Sequence, residues 1–259
     1  MARLTQEDVV TLFPDQVQQT AFVSDFITHL TSDVCLGLEL LKVNAVEDLL
    51  RVAGPSNALQ AKNQAPDSLR AMFGKESLRN AVHASESEEL ASSEIDYFFN
   101  QGKHKAQGHC KTSAILNNCS LLMLKPNILK TGAVGGVINA LLNEGGFEIS
   151  AAELFNLSKQ SACEFFEVYK GVDPDFNSAT DYVAFGGPVV VLEVRQEDVV
   201  QKLRHFCGPH DPEEARRLRP GSLRALHGSD RIQNGVHCTD LEEDGSLECE
   251  FFFVLMQSN

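Results

Sequence analysis

Short blocks of this sequence recur at one fixed distance, and this internal repeat constrains the fold more than any other feature. The blocks lie 154 residues apart and pair 68–71 with 222–225, 79–83 with 233–237, Gly54-Pro55 with Gly208-Pro209, and Glu94 with Glu248. Four matches at one offset without a gap indicate a duplication, and a unit of this length is too long for a solenoid repeat. The sequence therefore predicts two copies of one domain in tandem.

The second copy shows strands and helices in alternation. Its apolar segments predict strands at 119–124, 147–157, 189–194 and 248–255 and helices at 133–143, 159–169 and 198–207. Lys125-Pro126-Asn127 is predicted to be a turn, and the polar segment 211–220 is predicted to be a long loop. Apart from the helix at 159–169, the order is the βαββαβ of the ferredoxin-like split pattern, which belongs to the α+β class.

The first copy begins part of the way into its unit. Leu4-Thr5-Gln6 resembles Leu157-Ser158-Lys159, the start of a predicted helix in the second copy. No residues before Leu4 correspond to the first strand or the first helix of the unit. We therefore predict tandem ferredoxin-like domains, the first of which lacks its initial strand and helix. The predicted boundaries are 1–100 for the shortened copy, 101–117 for a polar linker and 118–256 for the complete copy.

Composition excludes several classes of protein. The chain has 259 residues, of which 43% are hydrophobic and 22% charged, and these values exclude wholesale disorder, collagen and coiled coil. The net charge of −14 argues against nucleic acid as a partner, because phosphate backbones repel an acidic surface. Neither a secretory signal nor an apolar run of about 20 residues is visible, so we expect no membrane partner.

The cysteines indicate a reducing compartment. There are seven of them, an odd number, and none forms a CxxC motif, which predicts reduced thiols in the cytosol. His104, His109 and Cys110 could suggest a metal site within the predicted linker. A structural zinc site requires four ligands at repeated spacing, so a polar linker is the favoured interpretation.

Each copy places the same polar residue types around one histidine. The sets are Arg70, Asn80, His83, Ser85 and Glu94 in the first copy and Arg224, Asn234, His237, Thr239 and Glu248 in the second. A guanidinium suits phosphate oxygens, a neutral imidazole can attack phosphorus, and a carboxylate on the other ring nitrogen fixes the tautomer. The pattern suggests phosphoryl transfer onto histidine. A structural histidine that was duplicated with its surroundings is the alternative.

The second copy resembles the nucleoside diphosphate kinase family from about Cys119 to Phe253. The resemblance rests on Met-Leu-Lys-Pro-Asn at 123–127, Gly-Gly-Pro-Val-Val at 186–190, Phe-Cys-Gly-Pro at 206–209, Pro-Gly-Ser-Leu-Arg-Ala at 220–225 and Gln-Asn-Gly-Val-His-Cys-Thr-Asp at 233–240. Several strings are especially similar to a subgroup with two kinase domains that is found in cilia and flagella. Members of that subgroup normally carry a further amino-terminal DM10 domain, which this sequence lacks.

The resemblance implies a ping-pong reaction. A nucleoside triphosphate would donate its γ-phosphoryl group to the active-site histidine, a different nucleoside diphosphate would accept it, and Mg²⁺ would bridge the phosphates. The implied catalytic residues are His237 and Glu248, and the implied nucleotide-binding residues are Lys125, Phe176, Arg204, Arg224, Asn234 and Thr239. The lysine and the arginines would hold phosphates, the asparagine would contact the sugar, and the phenylalanine would stack on the base. The threonine stands where the family has serine.

Some positions depart from the family pattern. His210 stands where the family usually has threonine, Cys238 replaces the glycine after the histidine, and the segment 212–220 is longer than usual. In the first copy Leu50 stands at one arginine position and Ala21 at the base-stacking position, and the lysine has no counterpart. The first copy is therefore predicted to hold a degenerate site.

Two functions remain open on the sequence alone. One is a ciliary or axonemal nucleoside diphosphate kinase that works through a phosphohistidine in the second domain. The other is a mainly structural component of the doublet microtubule on its lumenal side, or a γ-tubulin-complex partner, with little catalysis. Both place the chain in the cytoplasm and cytoskeleton, with tubulin and neighbouring axonemal proteins as partners. A tandem chain supplies two domains in cis, so we expect a pseudo-dimeric monomer.

Overall fold

A computed structural model describes residues 1–14, 17, 23–99 and 111–257 of the chain. These residues divide into two units, 1–112 and 113–259. Ala21 and the linker residues His104, His109 and Cys110 lie outside the described residues. None of the described helices combines the length and the apolar character that a membrane crossing requires.

The first unit has a small sheet and six described helices. Its strands are β1 (Ala2–Arg3), β2 (Val34–Cys35) and β3 (Lys111–Thr112), in the antiparallel order β2-β1-β3. Its helices are α1 (Gln6–Leu12), α2 (Val23–Leu30), α3 (Ala45–Ala53), α4 (Ala58–Gln64), α5 (Leu69–Phe73) and α6 (Glu88–Phe99). Strand β3 falls within the segment that the polar composition predicted to be a linker.

The second unit is built on a four-stranded antiparallel sheet in the order β5-β6-β4-β7. The strands are β4 (Cys119–Leu124), β5 (Glu148–Phe155), β6 (Val189–Arg195) and β7 (Val236–Cys238). The α-helices are α7 (Pro126–Lys130), α8 (Val134–Asn143), α9 (Lys159–Phe165), α10 (Phe176–Phe185), α11 (Val199–Cys207), α12 (Pro212–Leu218), α13 (Leu223–His227) and α14 (Gly245–Glu250).

The sheet of the second unit is apolar on both faces because helices cover each of them. Along β4, Leu121 and Met123 pack into one core cluster, whereas Leu122 and Leu124 pack into the other. This alternation follows from the two-residue period of a strand. Helices α9, α10 and α14 contribute side chains to the first cluster, and α8, α11 and α13 contribute to the second. The result is the ferredoxin-like α+β architecture that the sequence predicted.

Three local predictions for the second unit were wrong. The predicted turn after β4 opens helix α7, with Pro126 in its first turn. The predicted polar loop 211–220 contains helix α12, because Asp211 accepts a hydrogen bond from the Glu213 amide and caps the helix. The predicted strand 248–255 is helical: it is formed by α14 and a π-helical turn, Phe251–Leu255. The fourth strand of the sheet is instead β7.

The duplication is visible in the structure of both units. Helices α3, α4 and α5 have the same bounds as α11, α12 and α13 after the shift of 154 residues. Helix α3 begins after Asn44 at φ 58° and ends at Gly54 at φ 80°, and α11 begins after Asp198 at φ 52° and ends at Gly208 at φ 82°. Shared left-handed positions at both ends of a helix show that the backbone itself was duplicated.

Within the described residues, the first unit lacks the central part of the sheet. Its described residues contain no counterpart of β4 or α8, in agreement with the predicted shortened copy. The segment 36–43, which follows β2, corresponds to residues 190–197, of which 190–195 form the part of β6 that lies between β4 and β5 in the second unit. Its apolar side chains are exposed in the first unit: Leu36, Leu38, Leu40, Leu41 and Val43.

Candidate active site

The imidazole of His237 is fixed by its position on the sheet and by aromatic neighbours. His237 lies on β7, opposite Met123 of β4. The rings of Phe165 and Phe166 meet it edge to face, with centroids 5.3 and 5.2 Å away, and Tyr169 lies at 6.3 Å. Packing against three rings restricts rotation of the imidazole, so that one edge keeps a constant direction.

Glu248 and Thr239 hold one nitrogen of this ring. The Nε2 atom of His237 lies 3.3 Å from Oε2 of Glu248, and the Thr239 hydroxyl donates to the same oxygen at 2.9 Å. The Thr239 hydroxyl oxygen in turn accepts a hydrogen bond from the Leu121 amide of β4 at 2.9 Å. With Nε2–H donated to the carboxylate, Nδ1 is left with its lone pair and is the nitrogen able to act as a nucleophile.

The structure changes the role expected for one residue. Thr239 was predicted among the nucleotide-binding residues, but it is fully buried and its hydroxyl is engaged by Glu248 and the β4 backbone. It therefore acts on the site through Glu248. Glu248 itself lies on α14, a helix, and not on the predicted strand.

Arg224 brings a buried positive charge to the site. It lies on α13, and its Nη1 and Nε atoms donate to the carbonyls of Gly208 and Val236 at 2.6 and 3.3 Å. Its Nη2 atom lies 3.8 Å from the sulfur of Cys238. These bonds tie the end of α11 to β7 and fix the guanidinium in one orientation.

Lys125 lies close to Arg224 in the same buried region. Its ammonium donates to the carbonyl of Ile232 at 3.1 Å. Burial, with a smaller contribution from the nearby Arg224, lowers the pKa of Lys125 to about 7. Because two buried cations repel each other, an anionic ligand bound between them would be stabilised.

These residues surround one cavity of about 830 Å³ in the second unit. Of the predicted site residues, its lining contains Lys125, Phe176, Arg204, Arg224, Asn234 and His237. Glu248 and Thr239 lie behind the imidazole. A cavity of this size is within the range of small-molecule sites.

Asn234 offers the cavity an unused acceptor. Its amide nitrogen donates to the His210 carbonyl at 3.1 Å, whereas its buried Oδ1 atom has no hydrogen-bond partner among the described residues. A buried acceptor without a donor is costly, so a ligand hydroxyl would stabilise it. The side chain of His210 is neutral at pH 7, because burial and the charges of Arg224 and Lys125 lower its pKa to about 4.

Two residues of the site, Tyr169 and Arg231, were not predicted from the sequence. The Tyr169 hydroxyl donates to Asp240 at 2.5 Å, and Asp240 also contacts Arg204 through its main-chain carbonyl at 2.8 Å. Arg231 lines the cavity and pairs with Asp175 at 3.1 Å. No local spacing connects Tyr169 with Asp240, and Arg231 belongs to no quoted motif, so only the folded chain reveals them.

The first unit repeats the polar framework around its histidine. Arg70 donates to the carbonyls of Gly54 and Val82 at 2.5 and 3.2 Å, as Arg224 does in the second unit. His83 and Ser85 both bind Glu94, at 2.9 and 2.5 Å. The set lies at a second cavity of about 1120 Å³, whose lining includes Arg70, Asn80 and His83.

The first unit lacks the other cations of the second unit. Leu50 takes the place of Arg204, and the neighbouring Arg51 is paired with Asp48 at 3.0 Å. The described residues hold no counterpart of Lys125. The His83 side chain is 39% exposed against 9% for His237, so the first imidazole is also less enclosed.

Comparisons with known proteins agree with this geometry. The family model "Nucleoside diphosphate kinase" matches residues 1–104 and 118–257. The chain belongs to the nucleoside diphosphate kinase family.

Individual proteins that are similar to this chain are also nucleoside diphosphate kinases or their homologs. Nucleoside diphosphate kinase homolog 7 of Rattus norvegicus is 38% identical over 92% of this chain and 59% of its own length. The Mus musculus homolog 7 is 35% identical over 100% of this chain and 64% of its own length. The chain thus spans about three fifths of these relatives. A crystal structure of the Aquifex aeolicus nucleoside diphosphate kinase aligns with a TM-score of 0.51 and 32% identity, over 54% of this chain and 97% of that one.

Proposed function

We propose that the second unit transfers a phosphoryl group between nucleoside triphosphates and diphosphates through a phosphohistidine at Nδ1 of His237. The observation that carries the proposal is the enclosed imidazole, whose Nε2 is held by Glu248 while the cavity that it lines also holds Lys125 and Arg224. An oriented nucleophile beside fixed cations is what phosphoryl transfer requires.

In the first half-reaction the Nδ1 lone pair attacks the γ-phosphorus. The bond from that phosphorus to the β-γ bridging oxygen breaks, and the diphosphate leaves with the electron pair. Lys125, Arg204 and Arg224 neutralise the phosphate oxygens, and Glu248 stabilises the positive charge that develops on the imidazole. A second diphosphate then attacks the phosphohistidine and restores the neutral ring.

Magnesium is expected to enter with the nucleotide. Among the described residues, the one group of three potential metal ligands is Cys119, Glu193 and Cys249, and none of the three lines the cavity. The cationic side chains of Lys125, Arg204 and Arg224 and the free acceptor of Asn234 fit a nucleotide whose phosphates carry the metal. When bound, the ion supplies neutralisation of phosphate charge.

The test is to trap the covalent intermediate. We expect the protein to take up label from γ-labelled ATP, the label to be acid-labile and base-stable, and added GDP to remove it as labelled GTP. Label that resists acid, or that GDP does not remove, would contradict transfer through a phosphohistidine.

Binding of nucleotide should depend on pH through Lys125. The pKa of Lys125 is about 7 in the empty site, and bound phosphate must raise it because an anion favours the charged form. A pKa that is higher in the bound state makes affinity fall as pH rises above 7, by up to about tenfold per pH unit. We expect this decline for ADP between pH 7 and 9 by titration calorimetry.

Lys125→Arg is the matched control for the pH experiment. Arginine keeps the charge but does not titrate in this range, so its affinity for ADP should be nearly constant. Calorimetry of the wild type at pH 7 in two buffers of different ionisation enthalpy should also show proton uptake. Equal pH profiles for the two proteins would show that Lys125 is not the titrating group.

We also propose that the first unit attaches the chain to the doublet microtubule of the axoneme. The exposed apolar side chains of the segment 36–43 support a protein partner, because a contiguous apolar surface favours association. This role is compatible with catalysis in the second unit.

Cosedimentation with isolated axonemal doublets tests this attachment. We expect the wild type to pellet with the doublets and Leu38→Glu/Leu41→Glu to pellet at least about fivefold less, because two charges would be buried at the contact. Val168→Glu/Val172→Glu is the control, since both valines are exposed in the second unit. A wild type that stays in the supernatant, or equal loss in both variants, would contradict the proposal.

A further inference from the structure

Two buried cysteines lie directly behind the active-site histidine. Cys238 follows His237 on β7 and lines the cavity, and Cys207 is the last residue of α11. Both side chains belong to one core cluster, and a hydrogen bond joins the two sulfur groups. This pair is separate from the residues that the transfer reaction uses.

The two cysteines have opposite electrostatic surroundings. The Arg224 guanidinium lies against the sulfur of Cys238. The hydrogen bond from Cys207 and the charge of Arg224 outweigh burial and lower the pKa of Cys238 to about 6. Burial raises the pKa of Cys207 well above its usual value. Cys238 thus has much more thiolate character than Cys207.

We propose that Cys238 and Cys207 are a peroxide-sensitive pair, in which Cys238 is oxidised first and Cys207 resolves it to a disulfide. The Cys238 thiolate attacks hydrogen peroxide, the O–O bond breaks, and hydroxide leaves to give a sulfenic acid. The Cys207 sulfur then attacks the Cys238 sulfur, the S–O bond breaks and water leaves. Two thiols lose two electrons in total, and one peroxide is reduced to two waters.

The position of the pair connects oxidation to the active site. The disulfide would withdraw the Cys238 sulfur from Arg224 and link the end of α11 to β7. Arg224 also binds the carbonyl of Gly208, the residue after Cys207. Oxidation therefore acts on the backbone that holds a phosphate-binding arginine beside His237.

A second buried pair in the same unit provides the matched control. Cys119 and Cys249 also share a hydrogen bond, but their neighbour is the carboxylate of Glu193 and not a guanidinium. The hydrogen bond that the Cys249 thiol donates to Cys119, followed by burial, raises the pKa of Cys249. The Cys249 thiol should react slowly with peroxide because a raised pKa leaves it little thiolate.

The test uses the reduced 259-residue chain at pH 7. After brief exposure to hydrogen peroxide and alkylation of free thiols, digestion with trypsin and a Glu-specific protease separates Cys238 from Cys249. We expect a cross-linked peptide pair that contains Cys207 and Cys238, lighter by about 2 Da than the sum of the reduced peptides. The fraction of Cys238 that can still be alkylated after peroxide should fall at least about tenfold faster than that of Cys249.

Two variants test the order of events. In Cys207→Ala, dimedone should trap a sulfenic acid at Cys238, because no resolving thiol is present. In Cys238→Ala, oxidation of Cys207 should slow at least about tenfold. The proposal is overturned if both buried pairs oxidise at the same rate, if Cys238 stays fully alkylated after peroxide, or if Cys207 reacts equally fast in Cys238→Ala.

Discussion

Replacement of His237 by alanine is expected to lower phosphoryl transfer from ATP to GDP by about 10⁴-fold or more. The side chain provides the nucleophile that Glu248 orients beside Lys125 and Arg224, and loss of that nucleophile removes the proposed covalent route. Covalent label from γ-labelled ATP should disappear at the same time. Coupled-enzyme kinetics and acid-labile labelling measure the two effects.

His83→Ala is the matched control for this variant. His83 has the same kind of neighbours, a glutamate at 2.9 Å and a buried arginine, but its unit lacks the counterparts of Lys125 and Arg204. Transfer should therefore stay within about twofold of the wild type, since fixed phosphate-binding cations supply much of the catalysis. If His83→Ala removed the activity and His237→Ala did not, the active unit would be the first one.

Gly208→Ala is expected to destabilise the second unit by about 3 kcal/mol. Gly208 ends α11 at φ 82°, where residues with a Cβ are strained, and a Cβ there would lie 2.2 Å from the Ser222 hydroxyl and 2.6 Å from its Cβ. Because the Gly208 carbonyl accepts a hydrogen bond from Arg224, Gly208→Ala should also disturb the proposed phosphate site.

Gly221→Ala controls for the removal of a glycine from the same region. A Cβ at Gly221 would meet nothing within 4 Å, so its effect should stay within about 0.5 kcal/mol. Denaturant unfolding followed by the far-ultraviolet signal gives both values. If the free energy of unfolding of Gly208→Ala were no lower than that of Gly221→Ala, the close contact between the end of α11 and Ser222 would not contribute to stability.

Elements whose ends carry strong local signals were predictable from the sequence. Helix α11 was predicted at 198–207 because Gly208-Pro209 cannot continue a helix, and β4 and β6 were predicted from short buried apolar runs. The duplication itself needed only a constant offset between matching blocks.

The errors arose where composition and spacing disagreed. The segment 248–255 is rich in phenylalanine and looked like a strand, yet Cys249, Phe252 and Phe253 have the spacing of one helix face and are buried together. The segment 211–220 is polar overall, but Asp211-Pro212 is a helix start. Local capping outweighed composition in that case.

Spacing within the repeat and the family resemblance predicted several of the residues that lie around the cavity, but not how they are connected. The direction of the Thr239 hydroxyl depends on the Leu121 amide of β4, and the contact between Tyr169 and Asp240 joins residues 71 positions apart. The lowered pKa of Lys125 comes from burial and a neighbouring arginine, which are properties of the folded chain.

The central claim is that His237 carries the phosphoryl group on Nδ1 while Glu248 holds Nε2. The most direct measurement is the identity of the phosphorylated atom in protein that has been incubated with ATP, determined by peptide mapping and by ¹H–¹⁵N–³¹P correlation. We predict a single phosphate on Nδ1 of His237. A phosphate on Nε2 of that ring, on His83 or on a residue other than histidine would contradict this account of the site.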